Sequence, residues 1–302
     1  MLRRKFLRKI YFTTLIIFIL FVISSFTVNK DISNIKVEYQ NKFSNIYLLN
    51  DDNYLLEVNI IVRDNLFDSI PVVIDNLKQN SKHYSGLHGL IPNNTKINNM
   101  ELKNNILYID FNKELLNVNF DMEEKIIESI VYSLLNFKEI KGVRISIDGV
   151  LLHKLPQSNI YLDEILDKKF GINKEYDITS MNDIQKVTLY YYEEKDDNNY
   201  YVPVTKYVNS KDDKIKVIID NLKNNYLSKT NLMSYLNEKI KIENYEYLNN
   251  IVTLSFKNII DFSSSNIQEE VIYTLANSIL DSTDATKVIF LENNNIISIK
   301  SN

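Results

Sequence analysis

The chain has 302 residues, 45% hydrophobic and 25% charged, enough for two ordinary domains and too apolar for a disordered protein. Five glycines, four prolines and no cysteine argue against Gly-rich phosphate loops and exclude disulfides, thiolate metal sites and Cys nucleophiles. Of the formal net charge of −4, five bases and no acid fall in residues 1–9; the remainder holds 30 basic against 39 acidic residues, a net of −9, poorly suited to nucleic acid or anionic polymers.

The chain opens on MLRRKFLRK, followed by IYFTTLIIFILFVISSFTV (10–28) without a charge. A basic flank before an apolar run keeps the N-terminus inside and sends the rest across the membrane. Nineteen helical residues rise about 28 Å, enough to span. Residues 1–29 are therefore expected to be a signal-anchor, with cleavage near Ile23-Ser24-Ser25 as the rival outcome, which would secrete the chain. Residues 30–44 form a spacer, and the bulk of a single-pass cell-membrane protein follows outside the cytoplasm.

From residue 45 the sequence repeats itself. TKINNMELKNNILYIDF (95–111) recurs as IKIENYEYLNNIVTLSF (240–256), NYLLEVNIIV (53–62) as NYYVPVTKYV (199–208), and ESIVYSLLN (128–136) as EEVIYTLAN (269–277). The order is kept and the shifts, 145, 146 and 141 residues, differ only by loop-sized amounts, so the chain is a tandem duplication. IDNLK, present at 74–78 and 219–223, belongs to a helix. Ile70, Val73, Ile74 and Leu77 form one stripe, matched by Ile215, Ile218, Ile219 and Leu222. Strand alternation puts Leu107, Ile109 and Phe111 on one face, as it does Val252, Leu254 and Phe256. Asn104-Asn105 and Asn249-Asn250 supply hairpin turns. A second helix carries Ile130, Val131 and Leu134, or Val271, Ile272 and Leu275, with capping boxes at Asp121/Glu124 and Ser265/Gln268. VRISID (143–148) and KVIFLE (287–292) close the units. Each unit reads ββαββαβ, a two-layer α+β (α/β) fold with both helices on one small sheet. The domains are 45–150 and 187–302. The linker 151–186 packs through Ile160, Leu162, Ile165 and Leu166.

Chemistry is sparse. No zinc-protease, esterase, Ser-Lys, dinucleotide or P-loop motif is present. His83 and His88 share a loop without supporting ligands, His153 follows a strand, and no metal or cofactor is expected. Asp110 and Asp148 lie on strands that can be neighbours, a glycosidase-like pair. The second unit has Ser255 and Glu292 instead. EEKDDNN (193–199) reads as a solvated hairpin tip. Tyr190, Tyr191, Tyr192 and Tyr201 crowd that hairpin, either as sheet packing or as a candidate interaction surface.

Several segments together resemble the GerM-type sporulation and spore germination family in its tandem two-domain form. NYYVPVTKYV resembles the family's VPVT strand, GLHGLIPNNTKI (86–97) its loop before the hairpin, and ILYIDF its following strand. VYSLLN (131–136) and IYTLAN (272–277) resemble its helix, and VRISIDG (143–149) its final strand. LPQS (155–158) and GINKE (171–175) resemble the connection in two-domain members. The likeness covers about 45–300. The second unit has Asn231 and Asn237 where Gly86 and Pro92 stand, the first has Glu57 where Pro203 stands, and the family's lipid-anchor cysteine is absent. The resemblance implies a non-enzymatic extracytoplasmic domain akin to ring-building motifs. It also implies contact partners among envelope or sporulation-complex proteins, or a homo-oligomer. A peptidoglycan-binding wall module, and an envelope hydrolase using Asp110 and Asp148, are the alternatives.

Overall fold

The computed structural model describes residues 42–301 except 84–85, 196–197, 224–230, 235, 237–239, 241 and 258–264; side chains of 265–268 are also outside the description. The apolar segment 10–28 therefore lies outside the described residues. Among those described, no helix is long and apolar enough to cross a membrane.

The first repeat runs β1 (Lys42–Asn50), β2 (Leu55–Val62), α1 (Leu66–Asn76), β3 (Leu87–His88), β4 (Ile97–Lys103), β5 (Ile106–Phe111), α2 (Glu123–Leu134), β6 (Gly142–Ile147) and β7 (Val150–Leu151). The linker contributes β8 (Glu175–Asp177). The second repeat runs β9 (Ile184–Lys195), β10 (Asn198–Asn209), α3 (Lys214–Lys223), β11 (Ile242–Leu248), β12 (Ile251–Phe256), α4 (Ser265–Ser282), β13 (Lys287–Glu292) and β14 (Asn295–Ser301).

The expected strand–strand–helix order holds in both halves, but each repeat builds two sheets where one was anticipated. The orders are β2-β1-β3 and β4-β5-β6-β7, then β8-β10-β9 and β11-β12-β13-β14. β5 and β6 pair in parallel across α2, as β12 and β13 do across α4. A parallel pair needs such a crossover, whereas the flanking antiparallel pairs close with tight turns. Asn104-Asn105, Asn249-Asn250 and Asn293-Asn294 all take positive φ, as do Asp148-Gly149. Two successive left-handed residues match the strand twist, which is why Asn recurs there. The short β7 and the longer β14 lacked a sequence signal: Ile296 and Ile299 of β14 do not alternate cleanly against a buried face.

Both stripes of α1 and α3 are buried, and so are the matched faces of β5, β12, α2 and α4. IDNLK is core packing. α1 is capped by Asn65, whose side chain accepts from the Phe67 N–H at 2.8 Å. α3 is capped by Asp213, which accepts from the Ile215 and Lys216 N–H groups. The proposed box at Asp121/Glu124 does not form. A 3₁₀ turn over Phe120–Met122 precedes α2, which starts without a side-chain cap. The Ser265/Gln268 side chains lie outside the described residues. In the linker, Leu162 and Leu166 are buried, but Ile165 is 42% exposed, against the expectation that it packs. One continuous apolar core runs through both repeats.

Candidate functional site

Asn173, in the linker, occupies the gap between β2 of the first repeat and β10 of the second. Its Oδ1 accepts the Leu55 N–H at 2.8 Å, and its Nδ2 donates to the Leu55 and Pro203 carbonyls at 2.7 and 2.8 Å. One side-chain amide thus stands in for the ladder that the two strands do not make, and satisfies buried backbone groups of both repeats. The Asn173 N–H donates to Glu128 of α2 at 2.9 Å, with φ at 49°. Asn tolerates this left-handed conformation better than most residues. Lys174 completes the knot, with Nζ 2.6 Å from Glu124 and 3.4 Å from Glu128. Burial pushes the Glu128 carboxyl up, and Lys174 and Lys125 oppose the shift.

A second group crosses the seam at Glu57. Tyr47 faces Glu57 across β1–β2, as Tyr190 faces Pro203 across β9–β10. Tyr47 meets Tyr132 of α2 edge-on at 5.7 Å, and Tyr190 meets Tyr273 of α4 edge-on at 6.3 Å. The Tyr273 hydroxyl leaves its own repeat and donates to Glu57 at 3.0 and 3.2 Å. Asn45 also donates to Glu57. Burial outweighs these donors and pushes the Glu57 carboxyl up to about 7. At the far end of the hairpin, Asn50 donates to Glu193 at 2.7 Å and Lys195 pairs with Asp51 at 2.8 Å.

The tyrosines singled out from the sequence fall inside this seam. Tyr190, Tyr191 and Tyr192 are each 3% exposed, so their side chains pack within the chain: of the two readings, sheet packing describes them and an exposed interaction surface does not. Tyr201 is partly buried and stacks on Tyr273 at 3.7 Å. A strand buried on both faces does not alternate, and YYY at 190–192 is such a run. Glu193 is likewise buried against Asn50, so the expected solvated tip is restricted to part of 193–199, of which 196–197 lie outside the described residues.

Asp110 and Asp148 are brought together, as their strands suggested, on an exposed surface. Asn98 Nδ2 lies 3.1 Å from one and 3.3 Å from the other, and Asp110 accepts the Gly149 N–H at 2.8 Å. Asp110 thereby supports the β6–β7 turn. His83 bonds the Asn76 carbonyl at 2.7 Å, His88 lies 3.4 Å from Asp51, and His153 lies 3.3 Å from the Leu151 carbonyl. Among the described residues, no group of three His, Asp or Glu side chains is placed to hold a metal. Sequence reasoning missed Asn173 and Glu57. The one signal for Glu57 was that a carboxylate stands where the other repeat has proline.

The family described as Germane, sporulation and spore germination, matches residues 45–153 and 188–297. The spore germination protein GerM of Bacillus subtilis (strain 168) is 29% identical over 213 residues, 68% of this chain and 58% of that protein. The chain thus aligns with less than two thirds of that relative's length. The solved tandem GerMN domains of the sporulation protein GerM from Bacillus subtilis superpose with a TM-score of 0.73 at 24% identity. They cover 85% of this chain and 92% of theirs, and the likeness is one of fold.

Proposed function

The chain belongs to the Germane family of sporulation and spore germination proteins, and from that premise we propose that it is a membrane-tethered scaffold working by contact outside the cytoplasm. Residues 10–28 anchor it, and the two repeats act as one rigid body on envelope or sporulation-complex proteins, or on a second copy.

The observation that carries this reading is the join between the repeats. A pair of independently mobile domains would hold two contact surfaces at no fixed spacing. Here the linker amide of Asn173 and the Tyr273–Glu57 bond tie both hairpins together. Fixed spacing reduces the ordering cost when one partner touches both repeats. One contact surface is the outer edge of β14, the last strand of its sheet, where Ile296 and Ile299 are 61% and 50% exposed. An edge strand presents unpaired N–H and C=O groups and accepts a strand from a neighbour.

A photo-crosslinking residue at Ile299 in sporulating cells should yield an adduct with an envelope protein or a second copy. The same residue at exposed Tyr161, far along the chain in the linker, should yield none. Equal labelling at both positions, or none at Ile299, would defeat the contact reading. Protease added to intact protoplasts should digest residues 42–302; full protection would overturn the proposed topology.

A further inference from the structure

A cleft of about 810 Å³ opens in the second repeat, between the start of α3, β11 and the C-terminal end of α4. That volume suits a small ligand, for which sites of roughly 300–1,000 Å³ are usual. Lys168, Lys169, Lys186 and Lys214 line it, and Tyr245 and Tyr247 form a wall.

The charges in the cleft are not equally engaged. Lys168 pairs with Asp281, whose buried carboxylate also accepts the Tyr190 hydroxyl at 2.6 Å. Asp213 is used as the cap of α3 and accepts the Tyr245 hydroxyl at 2.6 Å. Asp284 is the remaining acid on the wall. Lys186 donates to the Lys169 carbonyl, and Lys214 donates to the Ser282 carbonyl at 3.0 Å. Both ammoniums are held by neutral oxygens, so two positive charges converge on one cavity in an otherwise acidic body.

The first repeat supplies an internal control. Counting from the matched Tyr47 and Tyr190, Lys186 stands where the first repeat has Phe43. Counting from Ile70 and Ile215, Lys214 stands where it has Ser69. Tyr245 stands at the register position of Met100. The related cleft between α1 and β4, about 680 Å³, is lined by Phe67, Pro71, Ile97 and Met100, with Lys78 paired to Asp75 and Lys96 exposed at its edge. The duplication has kept a cleft beside the first helix in each half, and only the second has lysines at the positions of Phe43 and Ser69.

We propose that the second-repeat cleft binds a small multivalent oxyanion, with Lys186 and Lys214 on its carboxylate or phosphate groups and Tyr247 against its less polar body. Lysines act as point charges and accept either kind of oxyanion. Tyr247 is partly exposed and available for that contact. The environment of Lys186 supports the assignment. Burial first, and then Lys174 and Lys214, push its ammonium down to about 8, with Asp167 and Asp163 pulling the other way. A bound anion would relieve that repulsion and return a proton to Lys186.

Calorimetric titration of the full chain in detergent, at low salt, tests this with tripolyphosphate in one arm and citrate in the other. Saturation by at least one of them, near one equivalent, is expected. The arm that saturates tells whether phosphate or carboxylate groups are preferred. Lys214→Gln, at an exposed position that does not threaten the fold, should weaken binding on the order of tenfold, and Lys186→Gln by a similar factor. Lys96→Gln, in the first-repeat cleft, should leave it unchanged. At pH 8, heats measured in buffers of different ionisation enthalpy should reveal proton uptake that Lys186→Gln removes. The proposal is overturned if neither anion saturates, if Lys214→Gln binds like the parent, or if Lys96→Gln weakens binding as much.

Discussion

The two repeats have equivalent β5/β12 core faces and the same Asn-Asn turn leading into them, yet they differ at the positions where they meet each other and at several that face solvent. Phe111 and Phe256 are both buried at the end of equivalent strands. Tyr47 and Tyr190 both meet a helix tyrosine edge-on. Against that likeness, Glu57 faces Pro203, a two-residue β7 faces a seven-residue β14, and Phe43 and Ser69 face Lys186 and Lys214. A duplicated core is constrained twice by the same packing. The seam is used once, with each repeat supplying a different side of it, so its residues have no reason to stay alike.

The shared core sets the largest expected effect. Phe111→Ala and Phe256→Ala should each cost about 3–5 kcal/mol, since each removes a fully buried ring and leaves a cavity. Denaturant unfolding of the two variants should give costs alike within about 1.5 kcal/mol, given the usual spread at fixed chemistry. A near-zero cost at Phe111 would mean that its strand face is not packed as described. A large asymmetry would show that one repeat dominates the common core.

The sequence carried most of this core and little of the seam. Helix stripes and strand alternation are periodic, and their recurrence in both halves separated packing from coincidence. The Asn pairs announced their turns because few residues accept two successive positive φ angles. Asn173 had no such signal. It lies in a linker, has no counterpart to align with, and its role depends on where β2 and β10 come to rest. The tyrosines at 190–192 were conspicuous, but composition does not tell a strand buried on both faces from a sticky surface. Asp110 and Asp148 were correctly placed near one another. What their spacing in sequence did not reveal is that Asp110 is engaged by the Gly149 N–H.

A smaller effect sharpens the contrast between seam and surface. Asn173 and Asn159 both hold positive φ, at 49° and 59°. Asn173 is buried and bonded to both repeats, whereas Asn159 is exposed. Glycine accepts the backbone at either position and loosens the unfolded chain alike in both variants, so the difference between them reports the side chain. Asn173→Gly should destabilise the chain by about 3 kcal/mol, because the Leu55 and Pro203 backbone groups lose their partners. Asn159→Gly should stay within about 0.5 kcal/mol. Thermal melts of both variants would decide it. Equal, small shifts would show that water replaces the Asn173 amide without cost, and that the repeats are not held through it.

The smallest of these effects depends on pH and separates Glu57 from Pro203. The Glu57 carboxyl is raised from 4.5 to about 7 in the folded chain, chiefly by burial. The folded state therefore holds a proton that the unfolded state releases between those values. Its contribution is fully present below pH 4.5 and is lost as pH rises through about 7. Between pH 5 and pH 7.5 the loss should be on the order of 2 kcal/mol. Glu128, also raised by burial, changes stability in the same direction, so the parent's total slope is not the test. The difference between parent and Glu57→Gln is. Glutamine keeps an acceptor for the Tyr273 hydroxyl but has no charge to bury. Glu57→Gln should be close to the parent at pH 5 and more stable than it at pH 7.5, with the two curves parting between them. Stability curves that run parallel across that range would mean Glu57 titrates as an ordinary solvated carboxylate. The carboxylate that stands where the second hairpin has Pro203 would then be electrostatically indifferent to the repeat it touches.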